Sequence, residues 1–416
     1  MRLVALPLAA ALLLTPTLSL SAQAATPPAA AGYVVVLRDD VADPGAVAAR
    51  HDLTTDHAYG HATKGFAARV PSGRLAELAA DPAVDFVAED TVLQLAEQTT
   101  PTGVERIGAL RKPSAGPAVD ADVAILDTGI DPSHPDLNVV GGYNCTSKNE
   151  AAWADDTGHG TLMAGVVGAK DDTQGVVGVA PGARLWAVKV GGRKGAKTSD
   201  VICGLDWVAA HAGTIKVASM SLSGPGADDG DCGWTKKDPL HRAICRATAA
   251  GVLSVVAAGN EGADLAGSVP AAYSEVLTVT AMADYDGRAG GGAAATCRPG
   301  DDDSAADFSN FAVAGSPTAS HTIAAPGVCI RSTAVGGGYA TVSGTSPATP
   351  HVAGTVARCL AAGPCQGLSP DQIAAKIINE SGRRPPSYGF AGDPSRPLTV
   401  GGQTRYYGWL VFAGRY

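Results

Sequence analysis

The chain has 416 residues, 45% of them hydrophobic and 17% charged, with 52 glycines and only 5% aromatics. That length exceeds one typical domain, and the composition supports a sizeable core while excluding collagen-like, coiled-coil, multi-span membrane and broadly disordered classes. A net charge of −9 excludes a broad nucleic-acid-binding surface, and eight cysteines form an even set suited to disulfides in an exported protein.

In chain order, Arg2 supplies a positive start, residues 3–20 are largely apolar, and Ala22-Gln23-Ala24 is a small-x-small cleavage site. Residues 1–24 therefore read as a secretory signal peptide. Pro7, Pro16 and the cleavage site argue against a membrane anchor. An Ala/Pro-rich linker covers 25–32. A strand is predicted over 33–37, a helix over 44–53, extended segments over 58–70, a helix over 72–80 with Ser72 as N-cap, and a strand region over 84–95. This β-α-β-β-α-β order suggests a small ferredoxin-like α+β domain. It is also acidic: residues 25–98 carry five basic and eleven acidic side chains, against 25 and 29 in the 318 residues that follow.

Beyond about residue 118, near-continuous apolar strands alternate with helices. Strands are predicted over 123–126, 185–190, 217–222, 253–258 and 276–281, and helices over 159–168, 199–212 and 240–250. Buried strands between helices indicate a doubly wound α/β domain with a mostly parallel sheet, whose ligands sit at the carboxyl ends of strands. Residues 399–416 read as an extra extended hairpin.

Three segments carry chemistry. Ala124-Ile-Leu-Asp127-Thr-Gly puts Asp127 at the carboxyl end of a strand. Asp156-Thr-Gly-His159-Gly-Thr161 puts His159 at a helix start. Ser343-Gly-Thr-Ser346-Pro-Ala-Thr-Pro puts Ser346 at a helix start after a turn. A serine hydroxyl needs a base to become a nucleophile, histidine has the right pKa, and a carboxylate orients the imidazole. Each signal alone has a commoner structural explanation as a turn, cap or packing residue. The combination in the order Asp, His, Ser is far less frequent by chance.

These segments resemble the three signatures of the subtilisin-like serine proteases (subtilases), and residues 25–98 resemble the family's inhibitory propeptide, with its folded part at about 33–96. The resemblance implies a secreted serine endopeptidase made as a self-processing precursor, with residues 99–416 as peptidase domain. It implies Asp127, His159 and Ser346 as triad and Asn260, in Ala257-Ala-Gly-Asn260, as oxyanion-hole donor. Ser221, Leu222 and Ser223 would form one substrate-binding strand, and Gly195 and Ala196 the opposite one, within a segment whose Arg193, Lys194 and Lys197 read first as a solvated basic loop, with a mild preference for acidic groups upstream of the scissile bond as the alternative. The loop Lys170-Asp-Asp172-Thr-Gln174-Gly-Val176 resembles a structural calcium site. Asp136, Asp172, Gln98 and the loop positions Lys170, Gln174 and Val176 are its candidate ligands, two carboxylates, an amide and several carbonyls. No zinc-type His/Cys spacing points to a catalytic metal. One departure is Pro347, where the family usually has Met; proline is tolerated at a helix's first position.

The cysteines allow 105 pairings. Proximity favours Cys359–Cys365 and Cys232–Cys245, leaving Cys145–Cys203 and Cys297–Cys329 as longer bridges. The expected partners are peptide or protein substrates and the chain's own propeptide, with no nucleic acid, no anchor after signal removal, and a monomeric enzyme. A catalytically silent relative serving as a binding scaffold is the alternative. An α/β-hydrolase esterase is disfavoured because Gly344-Thr-Ser346-Pro-Ala348 lacks the second glycine of G-x-S-x-G.

Overall fold

The computed structural model describes residues 31–90, 98–110 and 116–416. The predicted signal peptide, most of the linker, and residues 91–97 lie outside these. The described residues fall into two compact units, divided between residues 95 and 96.

In the first unit, β1 (Ala31–Leu37), α1 (Pro44–Arg50), β2 (Thr55–Tyr59), β3 (Gly65–Val70), α2 (Leu75–Ala79) and β4 (Val84–Glu89) follow one another. The strands form one sheet in the order β2-β3-β1-β4, and β1 pairs antiparallel with both neighbours. This is the predicted ferredoxin-like arrangement. Val35, Phe66, Val70 and Leu78 fill its core with no exposed surface. The helix α1 starts on Asp43, whose carboxylate accepts the N–H groups of Gly45 and Ala46. Ser72 does not cap the second helical segment. It lies inside a short 3₁₀ turn (Ser72–Arg74) that begins after Pro71, so the fixed φ of Pro71, −62°, sets the entry and no side chain caps it.

The second unit opens with a short helix, α3 (Thr102–Arg106), and is built on a long, mostly parallel sheet. Its strands are β5 (Asp122–Asp127), β6 (Val139–Asn144), β7 (Arg184–Lys189), β8 (Val217–Met220), β9 (Leu253–Ala257), β10 (Leu277–Ala283), β11 (Thr322–Pro326) and β12 (Trp409–Leu410). The order is β12-β11-β10-β9-β8-β5-β7-β6, and every one of these neighbours is parallel. Alternate residues of β5 serve opposite faces. Val123 and Ile125 pack in the layer of α4 (His159–Gly168) and α7 (Thr345–Ala362). Ala124 and Leu126 pack in the layer of α5 (Thr198–Ala210) and α6 (Pro239–Ala249).

The C-terminal stretch differs from the predicted single hairpin. A short hairpin joins Leu398–Val400 to Gln403–Tyr406, and the chain then turns back into the main sheet as β12, because Leu410 and Val411 are buried beside β11. A helix at Pro370–Gly382 has a capping box, Ser369 with Gln372. The disulfides join Cys145 to Cys203, Cys232 to Cys245, Cys297 to Cys329 and Cys359 to Cys365.

Candidate active site

Strand order reverses at β5: the chain continues to β6 and β7 on one side and returns to β8 on the other. A crevice opens at the carboxyl ends of strands at such a switch point. Asp127 ends β5 there, and Ser221 follows β8. A cleft of about 710 Å³ runs from Asp127 and His159 between Gly195–Ala196 and Ser221–Ser223. Leu126, Val201, Leu240 and Val269 give it an apolar lining. The Gly195–Ala196 edge is the outer half of a two-stranded ribbon with Gly191–Gly192.

Asp127 is buried and its carboxylate faces the ring of His159. Nδ1 of His159 lies 2.8 Å from Oδ1 and 2.9 Å from Oδ2. His159 enters α4 directly after Gly158, whose φ of 102° is a left-handed conformation that glycine adopts without strain. Burial disfavours the charged ring, but the hydrogen bond to Asp127 and the negative charges of Asp127 and Asp155 outweigh it. The net effect raises the pKa of His159 above its usual 6.5.

Asp155 carries a role that the sequence reading missed. Its two oxygens accept the N–H groups of Thr157, Gly158 and Thr161 and the hydroxyls of Thr128 and Thr161. One buried carboxylate thus caps the helix of His159 and ties it to the residue after Asp127. Its negative charge at that helix N-terminus is also favourable. Asp155 lies four residues ahead of His159 and outside the N-cap position, which Gly158 holds, so no capping pattern in the sequence points to it.

Ser346 is the second residue of α7, after Gly344 and Thr345. In this structure its hydroxyl is turned to the carbonyl of Ser221, 3.5 Å away. Catalytic hydrogen bonds are commonly long without substrate and tighten when it binds. The main chain of Ser346 is held more firmly. Pro350, four residues on, has no N–H to close the helical bond to the Ser346 carbonyl, and the Ser221 hydroxyl donates to that carbonyl instead at 2.9 Å. Pro347 stands at the third helical position rather than the first. It is accommodated there because first-turn N–H groups have no intrahelical partner. Asn260 follows β9 and reaches the same turn: its Oδ1 accepts the Thr345 N–H at 2.8 Å and the Thr345 hydroxyl at 3.1 Å.

The loop 170–176 brings its predicted ligands together. The carbonyls of Lys170, Gln174 and Val176 converge on the Gln98 side-chain amide at 2.7, 3.2 and 3.4 Å. Asp136 is buried; one of its oxygens accepts the Val176 N–H and the other has no hydrogen-bond partner. Burial and the nearby charge of Asp172 push its pKa up. An unpartnered buried oxygen beside converging carbonyls suits an oxygen-coordinated cation. Asp172 is exposed, and its carboxylate accepts the Gln174 N–H.

Residues 120–409 match the family model described as Subtilase family, and residues 32–96 match that of peptidase inhibitor I9. Subtilisin E of Bacillus subtilis (strain 168) is 36% identical over 303 residues, spanning 72% of this chain and 71% of that protein. An alkaline protease of Alkalihalobacillus alcalophilus is 37% identical over 279 residues, 67% of this chain and 64% of the relative. The crystal structure of a cold adapted subtilisin-like serine proteinase superposes with a TM-score of 0.54 at 30% identity, covering 75% of this chain and 97% of that one. With that fold, that sequence match and an inhibitor-type domain ahead of it, the chain belongs to the subtilase family and is a subtilisin-like serine endopeptidase carrying an I9 propeptide domain.

Proposed function

We propose that the chain is a secreted endopeptidase that cleaves peptide bonds through an acyl-enzyme on Ser346. The observation that carries this reading is the His159 ring fixed between the two oxygens of Asp127 at the edge of a peptide-sized cleft. With Nδ1–H given to Asp127, Nε2 keeps its lone pair and serves as base. Ser346 Oγ attacks the scissile carbonyl as its proton passes to Nε2. The oxyanion is held by the Asn260 amide N–H₂ and the Ser346 backbone N–H. The imidazolium then protonates the leaving amine, the C–N bond breaks, and a water activated by Nε2 hydrolyses the ester. Substrate lies extended between Ser221–Ser223 and Gly195–Ala196, adding a strand to each edge.

In this reading residues 1–24 direct export, 25–98 form the propeptide, and 99–416 form the mature enzyme, which works as a monomer. The precursor cuts itself at a bond within 96–99. Calcium is held by Asp136, Gln98 and the carbonyls of Lys170, Gln174 and Val176, with Asp172 adding charge; it supports the fold without entering the chemistry. Among the described residues no helix is long and apolar enough to cross a membrane. The test is Ser346→Ala expressed in a protease-deficient host. Peptidase activity should vanish, and the full precursor should accumulate. Normal maturation of the variant would overturn the self-processing, and retained activity would overturn the role of Ser346.

A further inference from the structure

Directly after the substrate-side segment, residues 226–238 form an acidic loop that the proteolytic reading does not use. Asp228 and Asp229 face the ring of His241 on α6. His241 is 1% exposed. Its Nε2 lies 2.8 Å from Oε2 of Glu275, which fixes the proton on that nitrogen. Its ring stacks on Tyr273, centroids 4.1 Å apart and 3° from parallel, so it cannot swing. The other nitrogen, Nδ1, is buried and hydrogen-bonds to nothing, although it lies 3.2 Å from Asp229 Oδ1 and 3.6 Å from Asp228 Oδ1. With its proton on Nε2, the ring turns an imidazole lone pair toward two carboxylates, an arrangement that repels unless a second proton or a cation sits among the three atoms.

We propose that Asp228, Asp229 and His241 form a binding site for a divalent cation of zinc type. One nitrogen and two carboxylate oxygens are a donor set for that class, whereas calcium prefers oxygen alone. Nitrogen and oxygen ligands about 2.0–2.2 Å from a tetrahedral ion lie roughly 3.4 Å apart, which is the spacing found around Nδ1. The surroundings also match what a metal requires of its ligands. Glu275 holds the remote N–H of the imidazole, the usual carboxylate–histidine arrangement. Both carboxylates are aimed by backbone donors: Asp228 by the Gly230 N–H, and Asp229 by those of Asp231, Gly233 and Lys236. The Cys232–Cys245 disulfide fastens the loop to the helix that carries His241, so the three donors are held together before any ion arrives. The Lys236 ammonium lies on the carbonyls of Ala227 and Asp228. The fourth position is left to water. Since Leu240, next to His241, lines the cleft, the bound ion would stiffen that wall.

The test uses the full chain with Ser346→Ala, which avoids self-digestion, in buffer saturated with calcium. Zinc is titrated calorimetrically, and cobalt(II) serves as a visible-absorption stand-in. One equivalent should bind, with a cobalt band of low-symmetry coordination, and excess calcium should not displace it. Asp228→Asn keeps an oxygen for the Gly230 N–H and should weaken zinc at least tenfold. Glu275→Gln leaves all three donors in place and should weaken it about 10–100-fold by loosening the imidazole. These two variants decide the matter even if His241→Gln fails to fold. Absence of a one-equivalent site, displacement by calcium, or unchanged affinity in both variants would overturn the proposal and leave a protonated His241 paired with its carboxylates.

Discussion

Asn260 uses one end of its amide for the fold, and the proposed mechanism gives the other end to the oxyanion. With Oδ1 anchored on Thr345, the N–H₂ group is left to donate beside Ser346. Asn260→Ala should therefore lower kcat and leave KM nearly unchanged, because the donated bond strengthens only as negative charge develops. A loss of about 10²–10³ in kcat is expected, a size borrowed from the same kind of substitution in a subtilisin. A change confined to KM would exclude the role. With His159 as the proposed base, its titration sets the pH dependence. Its raised pKa keeps the ring protonated, and so useless as a base, to a higher pH than an ordinary histidine. The acid limb of kcat/KM should accordingly fall above about pH 6.5; a limb below that value would contradict the Asp127 and Asp155 interactions. Pro347 leaves no sulfur beside Ser346, the proposed nucleophile. The remaining methionines of the second unit, Met163, Met220 and Met282, are 1%, 0% and 0% exposed. Peroxide should inactivate the enzyme slowly, and Pro347→Met should shorten the half-life by placing an oxidisable thioether there. Equal half-lives would defeat this. Asp127, His159 and Ser346 were legible in the sequence because each sits in a short local pattern of strand end or helix start. Asp155 was not, because four of its bonds depend on how residues 155–161 curl into the start of α4 and the fifth comes from Thr128, 27 residues away; the Ser221 bond to the Ser346 carbonyl spans 125 residues.

At the scale of elements, strands dominated by Val, Ile, Leu and Ala declared themselves, as β5 and β9 do. The strand β6 did not. Its Val139-Val-Gly-Gly-Tyr-Asn144 includes two glycines with little strand preference, yet only glycine fits there: a side chain at Gly141 would strike Trp186, and one at Gly142 would strike Trp153 and the Ala187 carbonyl. Tertiary contact overrides propensity at such a point. The sequence suggests a cation at the 170–176 loop only through family resemblance, since Asp136 and Gln98 join that loop from 34 or more residues away. Its stability depends on what neutralises Asp136. Removing calcium should leave one oxygen of that carboxylate buried and unpartnered, lower the melting temperature, and open the loop to proteolytic nicking. An ion at 100-fold over its Kd contributes about 2.7 kcal/mol. A melting temperature indifferent to chelator would remove calcium from this site.

At the scale of the whole molecule, the two compact units differ in charge and in means of support. Six of the nine net negative charges belong to residues 25–98, and all four disulfides belong to the second unit. A domain of about 60 residues without cross-links is marginal, because it buries a smaller share of its surface than a larger one. The core of Val35, Phe66, Val70 and Leu78 must therefore supply nearly all of its stability. Phe66→Ala should cost about 3–5 kcal/mol, enough to unfold such a domain. The expected function of this domain is to inhibit the enzyme behind it, and an inhibitor that works as a folded body loses potency by the fraction unfolded. A purified 25–96 fragment should then inhibit the mature enzyme in trans at micromolar concentration, while the Phe66→Ala fragment should show an unfolded circular-dichroism spectrum and inhibit far more weakly. Progress curves on a chromogenic peptide, with each fragment's folded fraction measured alongside, test both halves. No inhibition by the parent fragment would refute the inhibitor role. Equal inhibition by the unfolded variant would show that a linear segment, rather than the β-α-β-β-α-β body, does the inhibiting.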